Sequence, residues 1–115
     1  MSSNTYKIFL GSYVALILGI SSVPMESLPD LKFNHADKIF HFTEFFILGF
    51  LALKSFSIDN NYKLAVVLAS CAIFGAFDEW WQSFVSNRFT SFGDFIADGL
   101  GVLLSGFFFN PKGIK

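Results

Sequence analysis

Between Lys7 and Glu26 the sequence contains 18 consecutive residues without a charge. An apolar run of this length matches the thickness of the hydrocarbon core of a bilayer. Three further apolar stretches follow, and the connections between them are short and rich in turn-forming residues, as in SIDNNYK. The sequence therefore predicts an all-α fold, an integral membrane bundle of four transmembrane helices in one domain (1–115). The predicted spans are approximately 6–23, 37–56, 64–85 and 92–109.

The composition agrees with a membrane protein and excludes several other classes. Hydrophobic residues make up 53% of the 115 residues, and charged residues only 15%, against about 25% in a typical soluble domain. The formal net charge of −1 offers no basic surface for nucleic acid. Cys71, the single cysteine, cannot form an intrachain disulfide or a cysteine-based metal site. The expected partner is therefore the lipid bilayer, and no nucleic acid is expected.

The first span has a second interpretation, as a cleaved signal peptide. Lys7, the apolar run and the small residues at Ser21 and Ser22 resemble the three regions of such a peptide. Against this, Gly11, Ala15 and Gly19 recur at four-residue spacing, which lets a membrane helix pack closely against its neighbours. We therefore expect this stripe to form a helix interface.

The distribution of basic residues predicts the orientation of the four spans. In a four-span protein, the N-terminus, the middle loop and the C-terminus lie on one side. That side carries five basic residues, and the other side carries three. Since cytoplasmic segments are enriched in Lys and Arg, both termini are expected in the cytoplasm. The five are Lys7, Lys54, Lys63, Lys112 and Lys115, and the three are Lys32, Lys38 and Arg88.

Polar residues occupy one helical face of each of the last three predicted spans. Because successive helices run in opposite directions, the polar end of each span lies at the same, non-cytoplasmic level. We expect the polar side chains to form one cluster there. The residues are Asp37, His41 and Glu44 beside Lys38 on the second span, Gly75, Asp78, Glu79 and Gln82 on the third, and Asp94, Asp98, Gly101 and Ser105 on the fourth.

This level contains more acid than base. Six carboxylates stand against three basic groups, namely Lys38, Arg88 and His41. An ionised side chain at membrane depth costs at least about 2.5 kcal/mol, so the acids must pair, share protons or hold a cation. The alternative is that they lie in the wet interface and cap helices, with Trp80 and Trp81 as an aromatic belt.

Individual residues in this set suit different roles. His41, Asp78 and Glu79 are the candidates for acid and base catalysis. A larger set is expected to bind a ligand or form ion pairs, with Arg88 as the main counter-ion: Asp37, Lys38, Glu44, Gln82, Arg88, Asp94 and Asp98. With a single histidine in the set, a tetrahedral zinc site is not expected. No metal or other cofactor is assigned, although the oxygen ligands suit a divalent cation such as Mg²⁺ or Ca²⁺.

Two motifs resemble those of VanZ-like membrane proteins, a family named for a teicoplanin-resistance protein. The segment Asp37-Lys38-Ile39-Phe40-His41-Phe42, followed by Leu48-Gly49, resembles the family's DKxxHF...LG motif. The second half resembles its DExxQxF...R...DxxA(N/D)xxG pattern. The residues that carry this second match are Asp78, Glu79, Gln82, Phe84, Arg88, Asp94, Ala97 and Gly101.

Three positions depart from the family pattern. Phe45 stands where Tyr is frequent, Ser86-Asn87 where Pro-Gly is common, and Asp98 where Asn is frequent. A role that needs a hydroxyl at position 45 is therefore not expected. The resemblance implies a multi-pass protein of the bacterial cytoplasmic (inner) membrane and, for some members, reduced susceptibility to glycopeptide antibiotics. It implies no particular reaction.

Three functional classes remain open. The first is an envelope protein that binds or alters a lipid-linked or glycopeptide-related ligand. The second is an intramembrane enzyme that performs acid and base steps on a lipid. The third is a structural or ion-binding protein whose buried charges neutralise one another. The sequence has no GxSxG motif or phosphate-binding loop, which weakens the enzyme class without excluding it. The sequence indicates no oligomeric state.

Overall fold

A computed structural model describes residues 2–23, 36–85 and 92–109, apart from the side chains of residues 36 and 37. Within these ranges the chain forms four helices and no strand, which confirms the all-α prediction. Each helix corresponds to one predicted span and differs from it by at most three residues at either end. The helices are α1 (Ser3–Ser21), α2 (Ala36–Ser55), α3 (Asn61–Gln82) and α4 (Phe92–Phe108).

Helices α1 and α3 each begin three residues earlier than predicted because polar residues cap them. The Ser2 side chain accepts a hydrogen bond from the backbone N–H of Thr5 at 3.2 Å, so α1 starts before its apolar run. The Asn60 side chain likewise accepts from the N–H of Lys63 at 2.8 Å. Such caps satisfy backbone donors that the first helical turn leaves unpaired. A helix therefore extends beyond the limits that apolar residues alone suggest.

Contacts between the helices establish their relative directions. The start of α2 contacts the start of α4 through Lys38 and Asp94, and further along, Gly49 lies against Ser105. These two helices are therefore parallel. The end of α1 meets the end of α3, where Ser21 hydrogen bonds to Asp78.

The remaining pairs are antiparallel. Tyr13 in the middle of α1 donates to the backbone carbonyl of Glu44 on α2, and Lys7 near the start of α1 lies over Phe56 just beyond α2. On α3 and α4, Gly75 lies against Asp98. The end of α1, the start of α2, the end of α3 and the start of α4 consequently share one end of the bundle, hereafter the polar end.

The closest helix packing is between α2 and α4, the pair with the most extensive contacts. Gly101 permits it, because a Cβ there would collide with the carbonyl oxygen of Phe42 and stand 2.9 Å from the amide nitrogen of Phe46. The apolar core lies beside this contact. It comprises Ile17, Phe45, Leu48, Ala52, Cys71 and Val102.

The small-residue stripe of α1 does not form the predicted interface. Gly11, Ala15 and Gly19 are exposed, and a Cβ built at either glycine would meet no atom of the described residues within 4 Å. The helix instead packs through larger side chains on its opposite face, such as Tyr13 and Ile17. Small residues permit close helix approach but contribute little contact area themselves, and here the bulky face makes the contacts.

Only α3, among the helices that the structure describes, is long and apolar enough to cross a membrane by length and composition. A single helix of this kind is weak support for a membrane protein. The four-span arrangement is therefore not established by these helices, although their number and order match the prediction.

Candidate functional site

A histidine and three carboxylates from three helices converge at the polar end. His41 on α2 lies at the centre, with its Nδ1 atom 3.0 Å from Oδ1 of Asp98 on α4. The same nitrogen is 3.7 Å from Oε2 of Glu79 on α3. The other ring nitrogen, Nε2, is 3.9 Å from Oδ2 of Asp94. Together with Lys38, these residues are called the polar cluster below.

Lys38 pairs with one member of the polar cluster from its edge. Its ammonium nitrogen donates to Oδ1 of Asp94 at 2.9 Å, and its side chain is 36% exposed while that of Asp94 is 3% exposed. Asp94 also lies in the first turn of α4, where the helix dipole stabilises a negative charge. Asp94 is thus neutralised locally, and the remaining acids must be balanced in another way.

The acids are buried between helices rather than displayed at the surface. Asp98 is fully buried, and Asp94, His41 and Glu79 are 2%, 6% and 9% exposed. A carboxylate that caps a helix in a wet interface keeps most of its surface accessible. The burial therefore argues against the interfacial alternative for these four residues.

Three buried oxygen atoms in the polar cluster have no hydrogen-bond partner among the described residues. They are Oε1 and Oε2 of Glu79 and Oδ2 of Asp98. Asp98 packs against Gly75, where a Cβ would stand 3.4 Å from Oδ2 and 3.3 Å from the ring of Phe45. A phenylalanine at position 45 offers no hydroxyl to this oxygen. Buried acceptors without donors are rare. These oxygens are therefore available to a ligand, a cation or a shared proton.

Asp78 belongs to a separate hydrogen-bonded group beside the polar cluster. Ser21 of α1 donates to Oδ1 of Asp78, and Gln82 donates to Oδ2 of Asp78 at 3.2 Å and to Ser21 at 3.0 Å. All three residues are at most 3% exposed. This group ties α1 to α3. Of the three candidate catalytic residues, Asp78 is therefore the one with the most direct structural contacts.

Ser21 is a member of the site that the sequence did not identify. The sequence gives little indication of this role, because a serine hydroxyl in an apolar helix can bond to the carbonyl four residues earlier in its own helix. Ser22 bonds to Leu18 in this way. The clue is positional: Ser21 lies four residues after the buried Ile17, and so on the same buried face.

Three predicted site residues are not part of the polar cluster as the structure describes it. Glu44 is buried on α2, and its backbone carbonyl accepts a hydrogen bond from Tyr13 at 2.8 Å. Arg88 and the side chain of Asp37 lie outside the described residues. The predicted pairing of Arg88 with an acid therefore stays a prediction.

Two tryptophans near the end of α3 lie at the polar end of the bundle. Trp80 and Trp81 are 56% and 40% exposed, and the Trp81 indole donates to Ser22 Oγ at 2.8 Å. An exposed indole with one hydrogen bond is typical of a membrane interface, where an aromatic ring meets both lipid and water.

A separate apolar cavity of about 580 Å³ lies between α1, α2 and α3. Its lining includes Leu48, Ala52 and Cys71, which are core residues, and no member of the polar cluster lines it. It offers space for an apolar group, and the polar residues of its lining are Ser57, Tyr62, Lys63 and Ser70.

The polar cluster combines a histidine, carboxylates and unpaired acceptor atoms in a water-poor setting. Such a group can exchange protons, accept hydrogen bonds from a ligand, or coordinate a cation. Neither Ser21 nor Cys71 has a histidine partner within the described ranges that would activate it as a nucleophile.

Comparison with known proteins gives one finding. A family model described as VanZ/LLP1 matches residues 3–110. Neither a curated protein nor a solved structure matches the chain.

Proposed function

Because a VanZ/LLP1 family model matches residues 3–110, the chain belongs to that family, and from this premise we propose that it binds or alters an envelope ligand at the outer face of the bacterial cytoplasmic membrane. The ligand is lipid-linked or related to glycopeptide antibiotics such as teicoplanin. The observation that carries the proposal is the convergence of buried carboxylates and His41 at one end of the bundle, with three acceptor oxygens unpaired.

The surface of the helices supports a location in the membrane. Large apolar side chains are exposed on every helix, whereas soluble monomers rarely expose extended apolar patches. On α4 alone, Leu100 and Leu103 are 53% and 62% exposed, and Phe107 is 75% exposed. Lipid would cover these side chains. The proposed arrangement is a multi-pass bundle in which the polar end faces outward and both termini face the cytoplasm.

The orientation is tested by reporters in the two kinds of loop. A green fluorescent protein inserted after Asp59, in the exposed loop between α2 and α3, should fluoresce, because that loop is expected in the cytoplasm. Alkaline phosphatase at the same position should be inactive, and inserted within residues 24–35 it should be active. The reverse pattern would show that the polar end faces the cytoplasm.

Glycopeptide susceptibility tests the functional proposal. The chain is expressed in a glycopeptide-susceptible bacterial host without its own copy, and the minimal inhibitory concentration of teicoplanin is compared with that of the empty vector. We expect the concentration to rise. Insertion is monitored by immunoblotting of the membrane fraction. Unchanged susceptibility despite abundant inserted protein would contradict the proposal.

An intramembrane enzyme is the second candidate, and one observation favours it. The hydrogen bond between His41 and Asp98 holds the imidazole 3.7 Å from Glu79, which is how a base and an acid are held near a shared substrate. The substrate class would be a phosphate-bearing or acyl lipid. Chemical alteration of lipid extracts incubated with the purified protein distinguishes this candidate from simple binding.

The third class, a structural protein with self-neutralising charges, is supported by part of the polar cluster, since a protonated His41 would pair with Asp98 and Glu79 at 3.0 and 3.7 Å. The Lys38–Asp94 pair neutralises one acid, but Glu79 has no hydrogen-bond partner in the part of the chain that the structure describes. A set of charges that served folding alone should be fully paired, because an unpaired buried carboxylate opposes folding.

A further inference from the structure

We propose that His41, Glu79 and Asp98 form a binding site for one divalent cation that accepts both imidazole nitrogen and carboxylate oxygen, such as Mn²⁺ or Zn²⁺. The site deepens the proposed function, because it uses the same polar cluster. Each residue offers one ligand atom, and these three atoms lie within 4.8 Å of one another.

The distances match the spacing of ligands around one ion. Two ligand atoms about 2.1 Å from a common metal stand about 3.0 Å apart at a right angle and about 3.6 Å apart at 120°. His41 Nδ1 is 3.0 Å from Asp98 Oδ1 and 3.7 Å from Glu79 Oε2. The third separation, between Glu79 and Asp98, is at most 4.8 Å, so small side-chain adjustments bring all three atoms to one ion.

The unpaired oxygens are the independent observation that points to a ligand. Glu79 is 9% exposed, and neither of its carboxylate oxygens has a hydrogen-bond donor in the described ranges. The side chain nevertheless faces His41 and Asp98. Oδ2 of Asp98, which is fully buried, also lacks a donor. A bound cation would coordinate these oxygens directly. Without a cation or a donor, burying them costs free energy of folding.

Without a metal, the 3.0 Å contact between Nδ1 of His41 and Oδ1 of Asp98 places a proton on Nδ1. When a cation takes that position, the ring proton lies on Nε2, on the side of Asp94. The Oδ2 atom of Asp94 lies 3.9 Å from Nε2 of the ring, so a proton on Nε2 faces a carboxylate. The lone pair on Nδ1 then points toward Glu79 and Asp98. A carboxylate on the far side of a ligating imidazole is a common arrangement in metalloproteins, because it fixes the ring orientation and increases ligand basicity.

The mixed donor set favours a particular class of cation. Imidazole suits transition metals such as Zn²⁺, while carboxylates also suit Mn²⁺ and the harder Mg²⁺ and Ca²⁺. With His41 neutral, the two carboxylates of Glu79 and Asp98 balance one divalent ion. The excess of carboxylates predicted Mg²⁺ or Ca²⁺, and the single histidine argued against a tetrahedral zinc site. The position of His41 Nδ1 beside both carboxylates shifts the proposal toward metals that accept nitrogen.

Metal binding is tested on the full chain purified in detergent and stripped with a chelator. Isothermal titration with MnCl₂ and ZnCl₂, and metal analysis after dialysis, should show one ion per chain for at least one of the two metals. Glu79→Gln, Asp98→Asn and His41→Gln should each weaken binding at least about tenfold, as loss of even an indirect ligand contact does. Asp59→Asn, an exposed acid paired with Lys63, is the matched control and should bind normally.

Glu79→Gln is the decisive variant, because Glu79 makes no hydrogen bond with the described residues that its loss could remove. Circular dichroism confirms that it is folded. Absence of stoichiometric binding by the wild-type chain would overturn the proposal, as would undiminished binding by Glu79→Gln. Binding of Mg²⁺ or Ca²⁺ alone, unaffected by His41→Gln, would overturn the assignment of His41 as a ligand.

Arg88 is the competing partner for these acids, since a guanidinium binds carboxylates in a bidentate manner. If it fills the site, the wild-type chain should bind no metal and Arg88→Gln should gain binding, which also overturns the proposal. Because binding is measured on the purified chain and protection is measured in cells, failure of one does not imply failure of the other.

Discussion

A Glu79→Gln protein is expected to insert and accumulate normally but to give no protection against teicoplanin. The amide is nearly isosteric with the carboxylate, and Glu79 has no hydrogen bond to lose among the described residues. The substitution therefore preserves packing while removing a charge and a proton acceptor. If the polar cluster binds or alters a ligand, that charge is essential to it. The minimal inhibitory concentration should fall to that of the empty vector.

His41→Gln is the companion variant and should behave in the same way. Glutamine keeps one hydrogen-bonding group near Asp98. Unlike histidine, it cannot accept a proton near neutral pH, and it has no second nitrogen to face Asp94. Asp59→Asn is again the control, since an exposed pair between Asp59 and Lys63 contributes little to stability and lies in the loop between α2 and α3. This control should protect fully.

The abundance of inserted protein separates a functional loss from a folding defect. It is measured for each variant by immunoblotting of membranes and by the elution profile in detergent. Full protection by both Glu79→Gln and His41→Gln at normal abundance would refute the functional role of the polar cluster. A structural role would then account for it, and Arg88 would be expected to be required for folding.

Periodicity in the sequence predicted the buried polar faces of α3 and α4, because helix geometry determines which residues share a face. Asp94, Asp98, Gly101 and Ser105 recur on one face of α4, and all four are buried. The alternating direction of the helices then brings this face to His41 and Glu79 at one end of the bundle. Spacing along the chain and short connections were enough to predict which faces meet.

The side-chain contacts that each site residue makes could not be predicted in the same way. Spacing did not show that Asp78 bonds to Ser21 of α1 while Glu79, its neighbour in sequence, faces His41. Adjacent residues on a helix point about 100° apart, so their partners depend on which helix occupies each groove. The stripe of α1 was misassigned for the same reason. Small residues at Gly11 and Gly19 allow an interface, but which face packs depends on neighbouring side chains.

Replacement of Gly101 with alanine should strongly destabilise the bundle. A Cβ at this position would collide with the backbone carbonyl of Phe42 and stand 2.9 Å from the backbone nitrogen of Phe46. Backbone atoms inside a helix cannot rotate away as a side chain can, so α2 and α4 must separate. Overpacking of this kind typically costs about 1–3 kcal/mol, and the rigid obstacle places Gly101→Ala at the upper end of that range.

Gly99→Ala provides a matched control on the same helix. A Cβ at Gly99 would meet nothing within 4 Å, and alanine is favoured over glycine in a helix by about 1 kcal/mol. The two substitutions should therefore move the apparent midpoint of thermal unfolding, followed by circular dichroism in detergent, in opposite directions. Equal midpoints for the two variants would show that α2 and α4 do not approach as closely as the structure indicates.

Gly101→Ala also tests whether the close contact between α2 and α4 positions the residues of the polar cluster. His41 and Asp98 lie on α2 and α4, and their 3.0 Å separation depends on the close approach at Gly101, one turn further along α4. A Gly101→Ala protein that still folds at low temperature should hold these two side chains further apart. Since ligand atoms must remain within about 0.5 Å of productive positions, it should bind metal more weakly and protect less well than Gly99→Ala at equal abundance. Normal metal binding by folded Gly101→Ala would show that the site tolerates a wider spacing of the two helices.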